Sequence, residues 1–362
     1  MPDFMPMCDI WQHLRESDKP VVLYGTGDGA DKIIAQLKRI GIYDRVKGIF
    51  ASDGFVRKRT FAGFEVESYS ECMARLSDPL ILMCFGSSRP EVLENVMRIS
   101  SEHEFYAPDV PVYGDNLFDM DYYNVNSGRI AAVRELMADE DSRRTYDLIV
   151  ANKLSGDVSL LGKCECREAD IEALLPAGSG GTFVDLGAYN GDTALWYAGF
   201  DPSFGRIIAV EPDERNFRKL RENTSHLSAR MEYVNALIGA ADGMTKIDMR
   251  KGRGVHREDV TNPDSSNAAY LKEMKITSVD SLLGGRAADL IKMDVEGAEK
   301  DAIAGAADTI LKYRPAMRIA CYHRSEDIFE LPLQVLSIRD DYKVYIKHKP
   351  HVLMWDTEFV FV

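Results

Sequence analysis

The chain has 362 residues, 45% of them hydrophobic and 28% charged, and a formal net charge of −14 at neutral pH. That length favours two domains with substantial cores, and the acidic balance argues against general nucleic-acid binding and a polybasic membrane anchor. Six irregularly spaced cysteines form no disulfide framework, the start Met1-Pro2-Asp3-Phe4-Met5-Pro6 has no cationic and apolar leader, and no apolar run is long enough to span a bilayer, so a cytoplasmic protein is expected.

Residues 9–18 read as a short amphipathic helix, and residues 20–24 as a strand running into Gly25-Thr26-Gly27-Asp28-Gly29-Ala30. Ile33, Ile34, Leu37 and Ile40 then share one helical face. Strands follow at 46–50, ending near Asp53, at 64–66 and at 80–85, with helices near 70–76 and from Pro90 onward. This βαβ alternation predicts a small parallel sheet over residues 1–115 with three clear parallel strands. Gly25, Gly27 and Ala30 fit G-x-G-x-x-A between a strand and a helix. One reading is a dinucleotide or nucleotide-sugar site with Asp53 toward a ribose; the other is a tight turn in a degenerate Rossmann-like domain. Residues 116–180 carry two helical patterns, around Ile130–Met137 and Tyr146–Leu154, and are expected to link the domains. Cys164-Glu165-Cys166 has no second cysteine or histidine pair to complete a metal site.

From residue 181 the alternation resumes, and 181–362 reads as a second α/β domain. Phe183-Val184-Asp185-Leu186 is a buried strand, entering the turn Gly187-Ala188-Tyr189-Asn190-Gly191, with Asp192 or Thr193 as helix cap. Its D-x-G-x-x-x-G spacing differs from a pyrophosphate cradle and suits a nucleoside ligand without phosphates, such as S-adenosylmethionine. A second strand, 207–210, ends in Glu211-Pro212-Asp213, where an acid can take a ribose diol. The third strand is expected at 231–238, and a short one at 246–250. Residues 251–270 are polar, and Arg250, Lys251, Arg253, His256 and Arg257 suggest either a lid meeting an anionic substrate or a solvated loop. Residues 289–294 form a strand, Val295-Glu296-Gly297-Ala298-Glu299 turns into a helix bearing Ile303, Ala304, Ala307 and Ile310, and the strand 316–323 ends in His323. Residues 342–347 and 357–362 close the chain as an antiparallel edge hairpin.

The segments 183–193, Glu211, 290–299 and Tyr322-His323 together resemble the FkbM-type methyltransferase family, and the first domain resembles the small Rossmann-like domain at the front of some sugar-modifying enzymes. The resemblance implies a class I S-adenosylmethionine-dependent fold and methylation of hydroxyl oxygens on sugars, glycans or related natural products. The residues agree on the place, because ligands of open α/β sheets bind past the carboxyl ends of the strands. There Gly187 and Gly191 would close the loop on the methionine part of the cofactor, with Tyr189 and Thr193 beside it. Asp185 or Asp192 would take its ammonium group, Glu211 the ribose hydroxyls, and Asn235 and Ala236 would border the adenine. His323, as a neutral imidazole titrating near working pH, is the first candidate for a general base, with Asp294 or Glu296 the second. Asp294, Glu296 and Glu299 could instead hold a divalent cation, although none is predicted, and Glu299 reads first as a carboxylate favoured in a helix's first turn. Lys292 is expected to pair with a carboxylate. Two competing readings are a nucleotide-dependent enzyme, such as an oxidoreductase, acting through the Gly25–Ala30 turn, and a binding protein without turnover. The first domain is open to three roles: holding a nucleotide-linked sugar, docking a partner enzyme, or stabilising a homodimer.

Overall fold

Apolar runs too short for helices become parallel strands with both faces covered, and this decides the layout of the chain. The computed structural model describes residues 5–53, 56, 59–178, 180–248 and 271–362. It divides into two compact units: Met1–Glu135, Asp139–Arg167 and Ile346–Thr357 form the first, and Leu136–Ala138, Glu168–Tyr345 and Glu358–Val362 form the second.

The first unit runs α1 (Ile10–Glu16), β1 (Val21–Tyr24), α2 (Asp28–Arg39), β2 (Val46–Ala51), β3 (Thr60–Phe61), β4 (Phe64–Ser68), α3 (Tyr69–Arg75), β5 (Leu80–Met83), α4 (Pro90–Glu102) and β6 (Glu104–Tyr106). Its sheet has the order β3-β4-β2-β1-β5-β6 and is parallel except for the β3-β4 pair. Five strands are therefore parallel where the sequence suggested three. The extra ones are short, and β6 shows no period of its own; it is recruited by pairing with β5. Local signals act where expected: Ser68 and Glu71 form a capping box on α3, and Pro90 opens α4. The helices α5 (Met120–Leu136) and α6 (Glu140–Ser155), expected as a linker, fall almost wholly within the first unit, followed in the second by α7 (Glu168–Glu172). Helix α6 is buried nearly all round in its last three turns, and even Lys153 is enclosed, 2.7 Å from Asp109 and over the ring of Phe118.

The second unit continues with β7 (Thr182–Leu186), α8 (Asp192–Phe200), β8 (Arg206–Val210), α9 (Glu214–Asn223), β9 (Met231–Val234), β10 (Leu237–Ile238), β11 (Gly243–Asp248), β12 (Leu271–Thr277), α10 (Val279–Leu283), β13 (Leu290–Met293), α11 (Glu299–Ala304), α12 (Ala307–Tyr313), β14 (Ala316–Ala320) and α13 (Asp327–Ile338), and it takes the first two residues of β15 (Val344–His348) and the last four of β16 (Thr357–Phe361). The main sheet has the order β15-β16-β14-β13-β7-β8-β9, with β16 antiparallel to β14 and the strands from β14 to β9 parallel. The chain starts at β7, winds outward through β8 to β9, and returns to the other side of β7 with β13 and β14. The order thus reverses between β7 and β13, and the crevice beyond their carboxyl ends is the expected ligand position in such a sheet.

Two sequence expectations change here. Residues 231–238 are not one strand. The chain is pinned at Asn235, whose side-chain amide donates to the carbonyls of Glu211 and Pro212, and β10 leaves for a separate three-stranded sheet of order β10-β12-β11. The helical stretch after Glu299 is two helices, broken at Gly305, where a Cβ would come within 2.3 Å of the Gly239 carbonyl oxygen. The expected cationic lid from Arg250 to Arg257 lies outside the described residues.

One buried ion cluster ties the hairpin strand to the parallel sheet. Arg318 on β14 is 5% exposed and makes a fork with Glu358 on β16, Nε donating at 2.9 Å and Nη2 at 2.6 Å, while Nη1 donates to Glu168 at 2.6 Å. A two-bond Arg–carboxylate fork fixes direction as well as charge. Removing the guanidinium would strand two acids, one of them buried. Arg318→Ala is therefore expected to cost about 3–5 kcal/mol in urea denaturation, and Arg318→Met combined with Glu358→Leu should recover most of it. A loss below about 1 kcal/mol for the single variant would show that the cluster does not hold β16.

Candidate active site

Strand β7 delivers Asp185 to the switch point fully buried, and neither of its carboxylate oxygens makes a hydrogen bond. In the sheet register Lys292 of β13 is its neighbour, so the two side chains share a face. The Lys292 ammonium lies 3.7 Å from Asp185 Oδ1 and 3.7 Å from Asp294 Oδ2, and it donates to the Gly187 carbonyl at 3.0 Å. Burial pushes the Asp185 carboxyl up to about 6, with the Lys292 charge pulling the other way. Burial also works against the Lys292 ammonium, but Asp294 and Asp185 outweigh it and hold the ammonium above its usual range.

The turn after Asp185 is shaped by close approaches within the protein. Gly187 has φ +78°, and a Cβ there would sit 1.8 Å from the Asp294 carbonyl oxygen. Gly191 has φ +89°, and its Cβ would meet Thr224 and Leu220 at 2.9 and 3.0 Å. Both positions thus need glycine for contact between loop and protein, before any ligand is considered. Gly191 itself is the N-cap of α8 and no side chain caps the helix, contrary to the expectation for Asp192 or Thr193. The Thr193 amide donates instead to Asp192 Oδ1 at 2.8 Å. Tyr189, half exposed and with φ +44°, is held in this uncommon conformation by its amide donating to Glu211 Oε2 at 2.9 Å.

Glu211 is 6% exposed, and its other oxygen accepts from the Asp213 amide at 2.8 Å. Burial drives its carboxyl up to about 7, although these two amide donors favour the ionised form. Asn235 uses its side-chain amide nitrogen on the carbonyls of Glu211 and Pro212, so its Oδ1 takes no part in those two bonds. Ala236 is fully buried, so its side chain presents no face to a ligand in this conformation.

On the other side of β13 lies a second group. His323, 1% exposed, places Nδ1 2.9 Å from Glu299 Oε1, and its Nε2 is 3.5 Å from both Asp294 Oδ1 and Glu296 Oε2. Glu299 is fully buried and its Oε1 also accepts from the Val295 amide at 2.9 Å. The Tyr322 hydroxyl donates to Asp294 Oδ1 at 3.2 Å, and its ring lies beside the imidazole. Glu296 is half exposed, with φ +57°. Burial alone would lower the imidazole's pKa, but Glu299, Asp294 and Glu296 outweigh it and raise His323 to about 10. The expected imidazole titrating near neutrality is thus corrected: three carboxylates make it an imidazolium at neutral pH. Asp294, Glu299 and His323 offer ligand atoms within 4.8 Å of one another. His323 Nδ1 and Glu299 Oε1 lie 2.9 Å apart within this group, while Nδ1 and Glu299 Oε2 make no hydrogen bond.

The structure therefore brings Asp185, Lys292, Glu211, Asn235, Asp294, Glu296 and His323 to one rim. Sequence reasoning underweighted Glu299, and missed Tyr322 as a donor to Asp294 and the buried Asp327, whose Oδ2 accepts from the Arg324 amide at 2.7 Å. The signal for Glu299 was its place two residues after Gly297, at a helix start facing the end of β14. In the first unit, Gly25 and Gly27 also have positive φ, but the Phe85 ring lies where a Cβ on Gly25 would fall, at 2.4 Å. Asp53 follows β2 as an exposed turn residue.

Residues 185–345 match the model of the methyltransferase FkbM domain. The 2-O-methyltransferase NoeI of Sinorhizobium fredii (strain NBRC 101917 / NGR234) is 27% identical over 172 residues, which are 43% of this chain and 69% of that protein. The crystal structure of methyltransferase FkbM from Methylobacillus flagellatus KT is similar with a TM-score of 0.70 at 19% identity, covering 100% of this chain and 96% of that one. This last match shows a shared fold that includes the first unit. Among the described residues no helix is long and apolar enough to cross a membrane.

Lys292 is the cation between the two acid groups. Lys292→Met would leave Asp185 buried without a counter-charge, and it is expected to cost about 3–5 kcal/mol of stability in chemical denaturation. An unchanged denaturation midpoint would show that the buried acid is neutral and the pair carries no weight.

Proposed function

We propose that this chain, a methyltransferase of the FkbM type, transfers the methyl group of S-adenosylmethionine to a hydroxyl oxygen of a sugar, glycan or related natural product. The methyltransferase family implies S-adenosylmethionine as donor. The observation that carries the rest is the pair of groups on either side of β13: buried acids for a cationic nucleoside on one side, and an imidazole among carboxylates on the other. The 2-O-methyltransferase named above supports an oxygen acceptor.

The residues suit the cofactor. Asp185 offers two buried oxygens without hydrogen-bond partners, as a ligand ammonium or its bridging water requires. Glu211 has one lone pair on each oxygen engaged by a backbone amide, so both oxygens keep capacity for a ribose diol. Asn235 Oδ1 is the polar group on the adenine side, and the exposed Asp192 adds negative charge near the sulfonium's amino-acid portion. When bound, the cofactor supplies an activated methyl group on a good leaving group. What remains for the protein is to align the acceptor oxygen and to take its proton. Asp294, beside Lys292 and Tyr322, would accept a hydrogen bond from the acceptor, and His323 Nε2 would receive the proton.

A sugar-type acceptor fits a rim of carboxylates and a tyrosine hydroxyl, which bind hydroxyl groups by hydrogen bonds. Incubation with labelled cofactor should transfer label to a carbohydrate hydroxyl, and Asp185→Ala should abolish binding of S-adenosylhomocysteine in calorimetry. If that variant binds normally, the cofactor site has been misplaced.

A pH dependence follows from Glu211. Its carboxyl, raised to about 7, must be ionised to accept from both ribose hydroxyls. Affinity for S-adenosylhomocysteine should therefore be full above pH 8 and decline as the pH falls through about 7. Glu211→Gln should weaken binding and remove that step. A wild-type affinity that is flat from pH 8 to pH 6 would contradict the assignment.

A further inference from the structure

We propose that the Tyr189 ring is a wall of the nucleoside site, and that the fold accepts a strained main chain at this residue to hold the ring there. This rests on the reading that Glu211 takes the ribose of S-adenosylmethionine.

The turn alone does not account for a tyrosine. Gly187, Tyr189 and Gly191 have φ of +78°, +44° and +89°, so alternate residues of the turn are left-handed. Glycine enters that region freely, whereas a residue with a Cβ is crowded there by the main chain. At Gly187 and Gly191 an added Cβ would collide with Asp294, Thr224 and Leu220. At position 189 a side chain fits, yet glycine or asparagine would meet the same main-chain requirement with less strain. Packing does not account for the tyrosine either. Tyr189 is 50% exposed, and among the described residues its ring stacks on no other ring and its hydroxyl makes no hydrogen bond. A large side chain on a strained main chain, without such partners, is the pattern of a functional contact.

The root of that side chain is fixed. The Ala188 amide donates to the Val210 carbonyl at 2.9 Å, and the Gly191 amide to the Ala188 carbonyl at 2.8 Å. The Asn190 carbonyl accepts from the Asn223 side-chain amide at 2.8 Å. The Tyr189 amide itself donates to Glu211 Oε2 at 2.9 Å. The ring therefore leaves the chain at the residue bonded to the acid assigned to the ribose. The two groups together define a ligand class. A buried carboxylate takes a diol, and an aromatic face takes a purine base or a positive charge. An S-adenosyl sulfonium offers all three, whereas a neutral sugar acceptor offers the diol alone.

Three variants separate the ring from the main chain. Tyr189→Phe keeps the ring, Tyr189→Asn supplies a residue that tolerates the left-handed region, and Tyr189→Gly removes the strain. In calorimetry with S-adenosylhomocysteine, Tyr189→Phe should bind within about twofold of wild type. Tyr189→Asn and Tyr189→Gly should bind about tenfold more weakly, the scale of one ring stacked on a base. Both should nevertheless keep or raise the thermal unfolding midpoint without ligand, because the strain is relieved. Wild-type affinity in these two variants would overturn the proposal. A midpoint lowered by more than about 3 °C would also overturn it, since the ring would then be a packing element. Equal losses in Tyr189→Phe and Tyr189→Gly would overturn it too, by assigning the effect to the hydroxyl. If the wild-type chain binds no S-adenosylhomocysteine, the functional reading falls and this inference falls with it. If wild type binds and Asp185→Ala does not, a failure at Tyr189 concerns this residue alone.

Discussion

Everything at the rim depends on one ammonium group. Lys292 stands in the sheet register between Asp185 on β7 and Arg318 on β14, so a charged row crosses an otherwise apolar sheet. A lysine in this place is tolerated only because both neighbouring acids and a main-chain carbonyl face it. Its bond to the Gly187 carbonyl holds the turn after β7, and its contact with Asp294 holds the turn after β13. These two turns abut so closely at Gly187 that no side chain fits. The Arg318 charge further along the row is matched separately, by Glu168 and Glu358. Lys292 is therefore left to the two acids at the switch point.

This division gives the rim two electrostatic halves. On the β8 side, burial dominates: Asp185 and Glu211 are driven upward because few charges compensate them. Such acids gain most from a ligand that brings donors and positive charge, as a sulfonium amino acid with a ribose diol would. On the β14 side, charge dominates: the same burial acts on His323, yet the carboxylates around it reverse the direction. A site that must remove a proton from a weakly acidic hydroxyl gains from a base of high proton affinity, even when little of it is neutral at any moment. One strand thus separates acids governed by burial from an imidazole governed by neighbouring charge.

Much of this was legible in the sequence, for definite physical reasons. Strands buried on both faces appear as unbroken apolar runs, so β1, β5, β7, β8, β13 and β14 could be placed, and the residues following them fell at the rim by topology alone. Asp185, Glu211, Asp294 and His323 could be named on that basis. What sequence could not supply were relations between side chains far apart in the chain. The amide of Asn235 spends its donors on the loop after β8, which ends the third strand early and redirects β10. Ala236 is turned inward by the same bend. The helix-start pattern of Glu299 has an ordinary explanation in the helix dipole, and only the contact with the end of β14 shows that it faces an imidazole. For the same reason the ionisation of His323 was misread: a residue's pKa depends on partners from three separate elements. The short strand β6 and the membership of α5 and α6 in the first unit are likewise tertiary outcomes.

The two glycine turns make the general point about where binding capacity resides. By spacing alone, Gly25–Ala30 is nearer to a nucleotide motif than the turn at Gly187. Yet the Gly25 turn is backed by aromatic rings, with Phe85 against the glycine and Tyr24 stacked on Phe50, and Tyr24's hydroxyl is engaged with Ser52. Asp53, the acid its pattern would assign to a ribose, is an exposed turn residue. The Gly187 turn is backed by a buried acid without hydrogen-bond partners, a second acid that holds the turn's own amide, and a lysine that also reaches Asp294. A glycine turn permits approach, but it confers no affinity. Affinity needs polar groups that the fold has buried with their hydrogen bonds incomplete, and among the described residues at the two turns these stand beside Gly187.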